Sequence, residues 1–305
     1  MPTSNYSAIT IGGPCKLLCG AGATPIYSEG NVTITPKPVY RDLPSSLTTK
    51  DDQVLIGLTY EIDFTPKSVW NSTFRGVLLP AALTNFTVGG AALIGASNPA
   101  LVILGADGEQ WTFTRAALTK MPTVFCGLGK SVYGPAQFTS FLGSGKALTD
   151  ADAFVAIATG QAWSQADFPT GHQEAEATAA WGAITGFTAL FGQEGFELSH
   201  ELELADVKQG NILVDKRIVG YRGMIGVKPE GPTTVQLAGQ FPGVIGTRLS
   251  ASQADLVVTA SGMSMTLKSC TPNKMKYNFD HKLLRHDELA FVTALTAPAA
   301  RLAFS

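Results

Sequence analysis

The sequence predicts a mainly β chain made of two tandem β domains with a few short helices. Three observations carry that expectation: runs in which apolar and polar residues alternate, turn residues placed as in hairpins, and an internal repeat. In chain order, Thr35 to Asp52 comes first, an 18-residue stretch with Pro36, Pro38 and Pro44 that reads as a loop. It is too long for a passive connection, so contacts are expected of it. In Val54–Phe64, Leu58, Tyr60, Ile62 and Phe64 alternate with Thr59, Glu61 and Asp63, the period of a strand with one buried face. Leu101–Leu104 and Trp111–Thr114 flank Asp107-Gly108, a hairpin signal. Asp150–Thr159 has an acidic start and Gln173–Trp181 is rich in Ala and Glu, so both read as short helices. Phe196–Leu204 alternates again, Asp206–Asp215 reads as a shorter loop, and Leu256–Val258 with Met265–Leu267 flanks Ser261-Gly262 as a second hairpin.

Residues 99–141 can be laid on 253–295 at a constant offset of 154. Ala100 then falls on Ala254, Gly108 on Gly262, Thr112 on Thr266, Lys120-Met121 on Lys274-Met275, Phe125 on Phe279, Ala136 on Ala290 and Thr139 on Thr293. A block at offset 163 sets Asp52 on Asp215, Gly57 on Gly220, Ile62 on Ile225, Pro66 on Pro229 and Gly76 on Gly239. The blocks keep their order, as a tandem duplication would. The expected division is a first domain over 1–143 with an amino-terminal arm, a partly helical connector over 144–184, and a second domain over 185–305.

Composition narrows the function. The 305 residues hold 22 Lys+Arg against 24 Asp+Glu, which argues against a nucleic-acid binder built on a basic surface. Charged residues make up 15% of the chain, against about 25% in ordinary soluble domains. With 45% hydrophobic residues, large uncharged areas must be covered, and such areas tend to be interfaces. Gly76–Ala106 carries no charge, but Pro80, Gly89-Gly90 and Ser97-Asn98-Pro99 break it into pieces far short of the roughly 20 residues of a membrane span. Met1-Pro-Thr-Ser-Asn-Tyr does not read as a signal peptide, so the expectation is a chain made in the cytoplasm that does not insert into a membrane.

Catalytic and metal signatures were sought residue by residue. Cys15, Cys19, Cys126 and Cys270 are expected to be free thiols, since Cys15 and Cys19 lack a second ligand pair at zinc spacing. Gly129-Lys130-Ser131 has Val124 where a phosphate-binding loop needs its first glycine. His281 and His286, five residues apart, share no face of a helix or a strand. No G-x-S-x-G or H-E-x-x-H occurs, so neither an enzyme nor a cofactor is expected.

Leu101-Val-Ile-Leu-Gly-Ala-Asp-Gly-Glu-Gln-Trp-Thr-Phe-Thr-Arg-Ala-Ala-Leu-Thr-Lys-Met-Pro, with Tyr60-Glu-Ile-Asp-Phe-Thr-Pro-Lys and Val77-Leu-Leu-Pro upstream, resembles the major tail (tail tube) proteins of long-tailed bacteriophages. The resemblance covers most of the first copy and reaches the second through the repeat. It implies β-sandwich or split-barrel domains whose inner sheets join those of neighbours around a pore. A chain with two copies would form a trimeric, pseudo-six-fold ring, stacked into the tail tube of the virion. Implied partners are other copies of the chain, a tape-measure protein, and the tail terminator and tail-tip proteins, with DNA passing through unbound. Inter-ring contacts are expected from Tyr40, Arg41, Asp42 and Leu47 on the long loop and from Lys208 and Asp215 on its counterpart. Lumen-facing strand positions should be neutral or acidic, since each cation pairing with phosphate adds affinity for DNA. The alternative of another class is a β-sandwich binding module, a virion decoration or a receptor- or carbohydrate-binding protein. It would group exposed aromatics at one end, whereas Trp70, Trp111, Trp163 and Trp181 are scattered along the sequence.

Overall fold

The computed structural model describes residues 7–19, 25–43, 52–67, 91–92, 100–127, 130–143, 145–147, 154–160, 177–182, 189–191, 196–227, 253–260, 263–280, 283–293 and 302–304. Nearly all of them lie in strands or tight turns, and the chain is mainly β. The first strands are β1 (Ile9–Ile11), β2 (Lys16–Cys19), β3 (Ile26–Ser28), β4 (Val32–Leu43), β5 (Asp52–Phe64), β6 (Pro66–Lys67) and β7 (Ala91–Ala92). There follow β8 (Leu101–Leu104), β9 (Gln110–Phe113), β10 (Ala116–Lys120), β11 (Val124–Gly127), β12 (Lys130–Tyr133), β13 (Ala136–Ser140) and β14 (Val155–Ala158). The rest are β15 (Ala177–Trp181), β16 (Ala189–Phe191), β17 (Phe196–Gln209), β18 (Ile212–Val227), β19 (Ala254–Ala260), β20 (Met263–Asp280), β21 (Leu283–Thr293) and β22 (Leu302–Phe304).

They form three antiparallel sheets. One runs β1-β4-β5-β13-β10 and a second β14-β9-β8-β2-β3-β6. The third runs β12-β11-β17-β18-β21-β20-β19-β15-β16, with β22 also on β20 and β7 also on β18. Alternation decides what is buried: Ile34, Ile62, Phe64 and Phe138 of the first sheet share a core with Leu17, Leu101, Ile103 and Phe113 of the second. Phe64 stacks on Phe138 at 5.7 Å between ring centroids, and Tyr60 meets Phe113 at 5.7 Å across the layers. In the carboxy-terminal half Leu198, Ile225 and Phe291 pack with Ala179, Trp181, Leu256 and Leu267. Trp181 and Phe291 lie 5.4 Å apart there.

The strand order recurs. β4-β5-β13-β10 in the first half is matched by β17-β18-β21-β20, and β14-β9-β8-β2-β3 by β22-β20-β19-β15-β16. The register recurs with it: Phe138 faces Ile62, and Phe291 faces Ile225. Two sequence offsets are corrected by these pairings. Leu101 opposite Phe113 corresponds to Leu256 opposite Leu267, an offset of 155 for β8, and Phe138 corresponds to Phe291, an offset of 153 for β13. A gap-free offset of 154 therefore holds only for β9 and β10 on β20; bulges absorb the slips.

The helical expectations fail. Residues 155–158 form β14 and pair with β9, and residues 177–181 form β15 and pair with β19. There is no helix among the described residues. Ala-rich composition favours a helix in isolation, but an open sheet edge beside each segment supplies the hydrogen bonds and the apolar contacts instead. Thr35–Asp52 is also mostly not a loop, because β4 runs to Leu43 and β5 begins at Asp52. Its counterpart Asp206–Asp215 is a strand, the two-residue turn Gly210-Asn211 with Gly210 at φ 62, and another strand. Finally, β11 and β12, within 1–143, extend the sheet of the other half by pairing β11 with β17.

Candidate assembly surface

Two long hairpins, β4–β5 and β17–β18, start from the same place in the recurring order. Near the core they match: Ile34 faces Ile62, Leu198 faces Ile225, and all four are fully buried. Both ladders are broken at the same rung. Val39 faces Gly57 and Tyr40 faces Leu55, leaving Ile56 out; Glu203 faces Gly220 and Leu204 faces Ile218, leaving Val219 out. A bulge bends and twists a strand, so each hairpin leaves its sheet as an arm at that point.

The arms then part in character. On the first, Val39, Tyr40, Leu43, Val54 and Leu55 are all exposed, so apolar side chains reach solvent on both faces. On the second, Ile218 is 0% exposed where its counterpart Leu55 is 37%. Leu213 packs on Ala117 and Phe141 of the first half. Ile218 and Arg217 gain Ala91 and Ala92 of β7 as ladder partners. A Cβ placed on Gly57 would sit 3.6 Å from the Asn211 carbonyl oxygen, so the tip of the second arm rests against the first hairpin.

A second pair of equivalent places lies on the outer edges of β4 and β17. β11 fills the β17 edge, with Val124, Phe125 and Cys126 opposite Leu198, Glu197 and Phe196. β1 fills the matching rungs of β4, with Ile9, Thr10 and Ile11 opposite Ile34, Thr33 and Val32. Beyond those rungs stand Pro36 and Pro38, facing Tyr60 and Leu58. Alternate residues of a strand point their hydrogen-bonding groups to opposite sides, so two prolines two apart are tolerated when the side lacking N–H faces outward. The outer edge of β4 past Ile34 thus has no donor at either position.

The outer faces of these hairpins are polar. On β4, β5, β17 and β18 they carry Glu61, Asp63, Glu197, Glu201 and Glu203 with Lys37, Arg41, Arg217 and Arg222. Lys37 pairs with Glu61 at 3.1 Å, and Arg222 lies 3.6 Å from Glu201. Gln137 Nε2 donates to Asp63 Oδ1 at 3.0 Å.

Of the residues expected to make contacts, Tyr40, Arg41 and Asp42 lie together and exposed on the first arm, where Asp42 accepts a 2.8 Å hydrogen bond from Gln53 Nε2. Leu47 lies outside the described residues. Lys208 is exposed on the second arm, 4.0 Å from Asp206. Asp215 is buried, and its Oδ1 accepts from the Lys216 amide at 2.7 Å, so it presents no side chain to a partner. Val39, Val54 and Leu55 escaped the sequence reading. Their signal was present as apolar residues at odd and even positions beyond Gly57, where one-faced alternation stops.

Other chemistry is absent from the described surface. Cys15 is buried with its thiol pushed up by desolvation, while burial carries Cys19 to about 11 and Cys270 to about 12. These are inert thiols near neutral pH. Among the described residues no three His, Cys, Asp or Glu side chains converge as a metal site would need, and no helix is long and apolar enough to cross a membrane. Trp111 and Trp181 are core residues, and Trp70 and Trp163 lie outside the described residues. No protein-family model matches the chain, and no curated protein matches it.

Proposed function

We propose that the chain is a structural subunit of a bacteriophage tail tube, in which two tandem copies of one β domain make each chain one third of a pseudo-six-fold ring. The observation that carries this reading is the joint between the halves. The β11–β12 hairpin of one half extends the sheet of the other, and Leu213 of the second arm packs on Ala117 and Phe141 of the first half, so the two halves, alike in strand order, are joined through sheet extension. A head-to-tail contact repeated from chain to chain forms a ring where its rotation closes. The low charge suits a protein that packs against its own copies, and the near-neutral outer faces of β4, β5, β17 and β18 suit a bore through which DNA slides without sticking.

In this reading the protein is made in the host cytoplasm and works in the virion tail. It contacts other copies of itself, the tape-measure protein, and the terminator and tip proteins, and it catalyses nothing. Tyr40, Arg41 and Asp42 on the first arm, with Leu47 beyond them, touch other copies, as does Lys208. Negative-stain imaging with sedimentation velocity on the purified full chain tests the proposal. Rings or tubes are expected. Monomers, or discrete trimers that never stack at any concentration, would favour a binding module instead.

A further inference from the structure

We infer that β1 holds the place of a strand from another copy: when chains join, the end of the β20–β21 hairpin of one copy displaces β1 and pairs with β4 of the next. The inference rests on the tube reading and deepens it by naming the incoming strand, the edge that receives it and what covers that edge beforehand. Its ground is the joint inside the chain, where β11 lies on β17 with Val124, Phe125 and Cys126 opposite Leu198, Glu197 and Phe196. The counterpart of the β11–β12 hairpin in the second half is the end of β20–β21. Val124 faces Tyr133 and Gly127 faces Lys130, as Tyr277 faces His286 and Asp280 faces Leu283, the same offset of 153 that relates Phe138 to Phe291. Beyond Lys274, β20 has β21 as its one ladder partner among the described residues. The receiving edge is equivalent too, because Ile34, Thr33 and Val32 of β4 stand where Leu198, Glu197 and Phe196 stand in β17. Carried from one copy to the next, the internal joint sets Tyr277, Asn278 and Phe279 opposite Ile34, Thr33 and Val32.

In the single chain those three rungs are held by β1, which imitates the strand it stands for. Ile9, Thr10 and Ile11 run along β4 in the same direction and register as Val124, Phe125 and Cys126 along β17. The imitation fits less well: Ile9 is 38% exposed, whereas Val124 at the equivalent rung is 1% exposed. Pro36 and Pro38 end the usable edge just past Ile34, so an incoming strand must compete for the same rungs and cannot pair alongside β1. β1 is three residues long, and exchanging one short strand for another of like register costs little, because each ladder hydrogen bond lost is replaced in kind. A covered edge also keeps the free chain from pairing with wrong strands. Displacement thus leaves chains separable until a neighbour's hairpin arrives.

The test uses the full chain with two separate cysteine pairs, followed by sedimentation velocity and negative-stain imaging. Thr10 and Thr33 are directly opposite, so Thr10→Cys with Thr33→Cys can close a disulfide that locks β1 on β4. Oxidised, this chain is expected to stay monomeric, and reductant should restore assembly, which shows that its fold is intact. The second pair, Thr33→Cys with Asn278→Cys, should cross-link one copy to the next in assembled protein, and neither substitution alone should do so. Amide exchange at Thr10 and Ile11 should quicken when the unaltered chain forms rings. Rings or tubes of ordinary yield from the locked chain, or assembled protein in which the second pair gives no cross-link, would overturn the displacement and leave the tube reading standing. An unaltered chain that never assembles overturns the tube reading and this inference together.

Discussion

The two hairpin arms begin alike and end differently. Each leaves its sheet at a bulge beside a glycine, yet the β17–β18 arm is tucked over the first half whereas the β4–β5 arm carries five exposed apolar side chains. Local sequence does not explain the contrast, since both arms have apolar residues to bury. The difference lies in what is described next to each: the second arm lies on Ala117 and Phe141 of the first half, whereas among the described residues the first hairpin is met near Gly57 by the tip of the second arm. Burial here is a property of what each arm meets rather than of its own sequence alone.

The sharpest way to break that comparison is to empty the seat of the second arm. Phe141 is fully buried and, with Ala117, receives Leu213. Phe141→Ala should cost about 3–5 kcal/mol by loss of burial and an unfilled cavity. Urea unfolding of the isolated chain measures it, and hydrogen exchange along 204–218 should quicken. On the other arm Tyr40→Ala should change the stability of the free chain by less than about 0.5 kcal/mol, because an exposed side chain has little to lose. Equal losses at the two positions would mean that the arms are not seated and unseated as described.

Much of this was readable beforehand, for reasons that lie in the residues. Alternation at Leu58, Tyr60, Ile62 and Phe64 reports a single buried face, and β5 has one there. Asp107-Gly108 marks a turn because Gly108 adopts φ 87, open to glycine at little cost. The failures share a different cause. Residues 155–158 and 177–181 become strands because β9 and β19 present open edges to them, a fact of tertiary structure. Pro36 and Pro38 look like loop residues until the strand is known to turn its donor-poor side outward. The seat of β11 on β17 joins residues 70–74 apart with no local signal, and that of β1 on β4 joins residues 21–25 apart, equally without one.

The halves also differ where one layer passes into the other, and a carboxylate there offers a smaller test. In the first half β9 and β10 are separate strands, with Thr114 and Arg115 between them, whereas β20 runs through the equivalent place unbroken. Asp255 secures the crossing: its Oδ2 accepts from Lys268 Nζ at 2.8 Å and its Oδ1 from the Ser269 amide at 2.9 Å. Desolvation is the largest single influence and acts to raise its pKa, but the hydrogen bonds from Lys268 and Ser269 and the lysine charge together hold it below the ordinary 3.8. A lowered folded pKa means that the carboxylate stabilises the fold fully above about pH 4, with the benefit lost as pH falls through the lowered value. The group is part exposed and screened, so Asp255→Asn should cost only about 1 kcal/mol at pH 7. The gap from the unaltered chain should close in acid, as thermal melts from pH 7 down to 3 would record. A gap that persists unchanged at pH 3 would show that the charge is not what secures the crossing.

The finest distinction concerns backbone shape at that crossing. Ser269 takes φ 46, and among the described residues it is the one non-glycine with positive φ; its counterpart Arg115 has no such strain. A side chain in that region costs about 1 kcal/mol or more, while glycine adopts it freely but loses more conformational entropy on folding. The two effects partly cancel, so Ser269→Gly should stabilise by about 0.5 kcal/mol. At the unstrained counterpart only the entropic cost operates, and Arg115→Gly should be less stable than Arg115→Ala by a similar amount. Opposite signs at equivalent positions, read from chemical unfolding of the four chains, would mean that the continuous β20 is held in a shape the divided β9–β10 connection escapes by breaking. The same sign at both would place the difference between the crossings in their side chains.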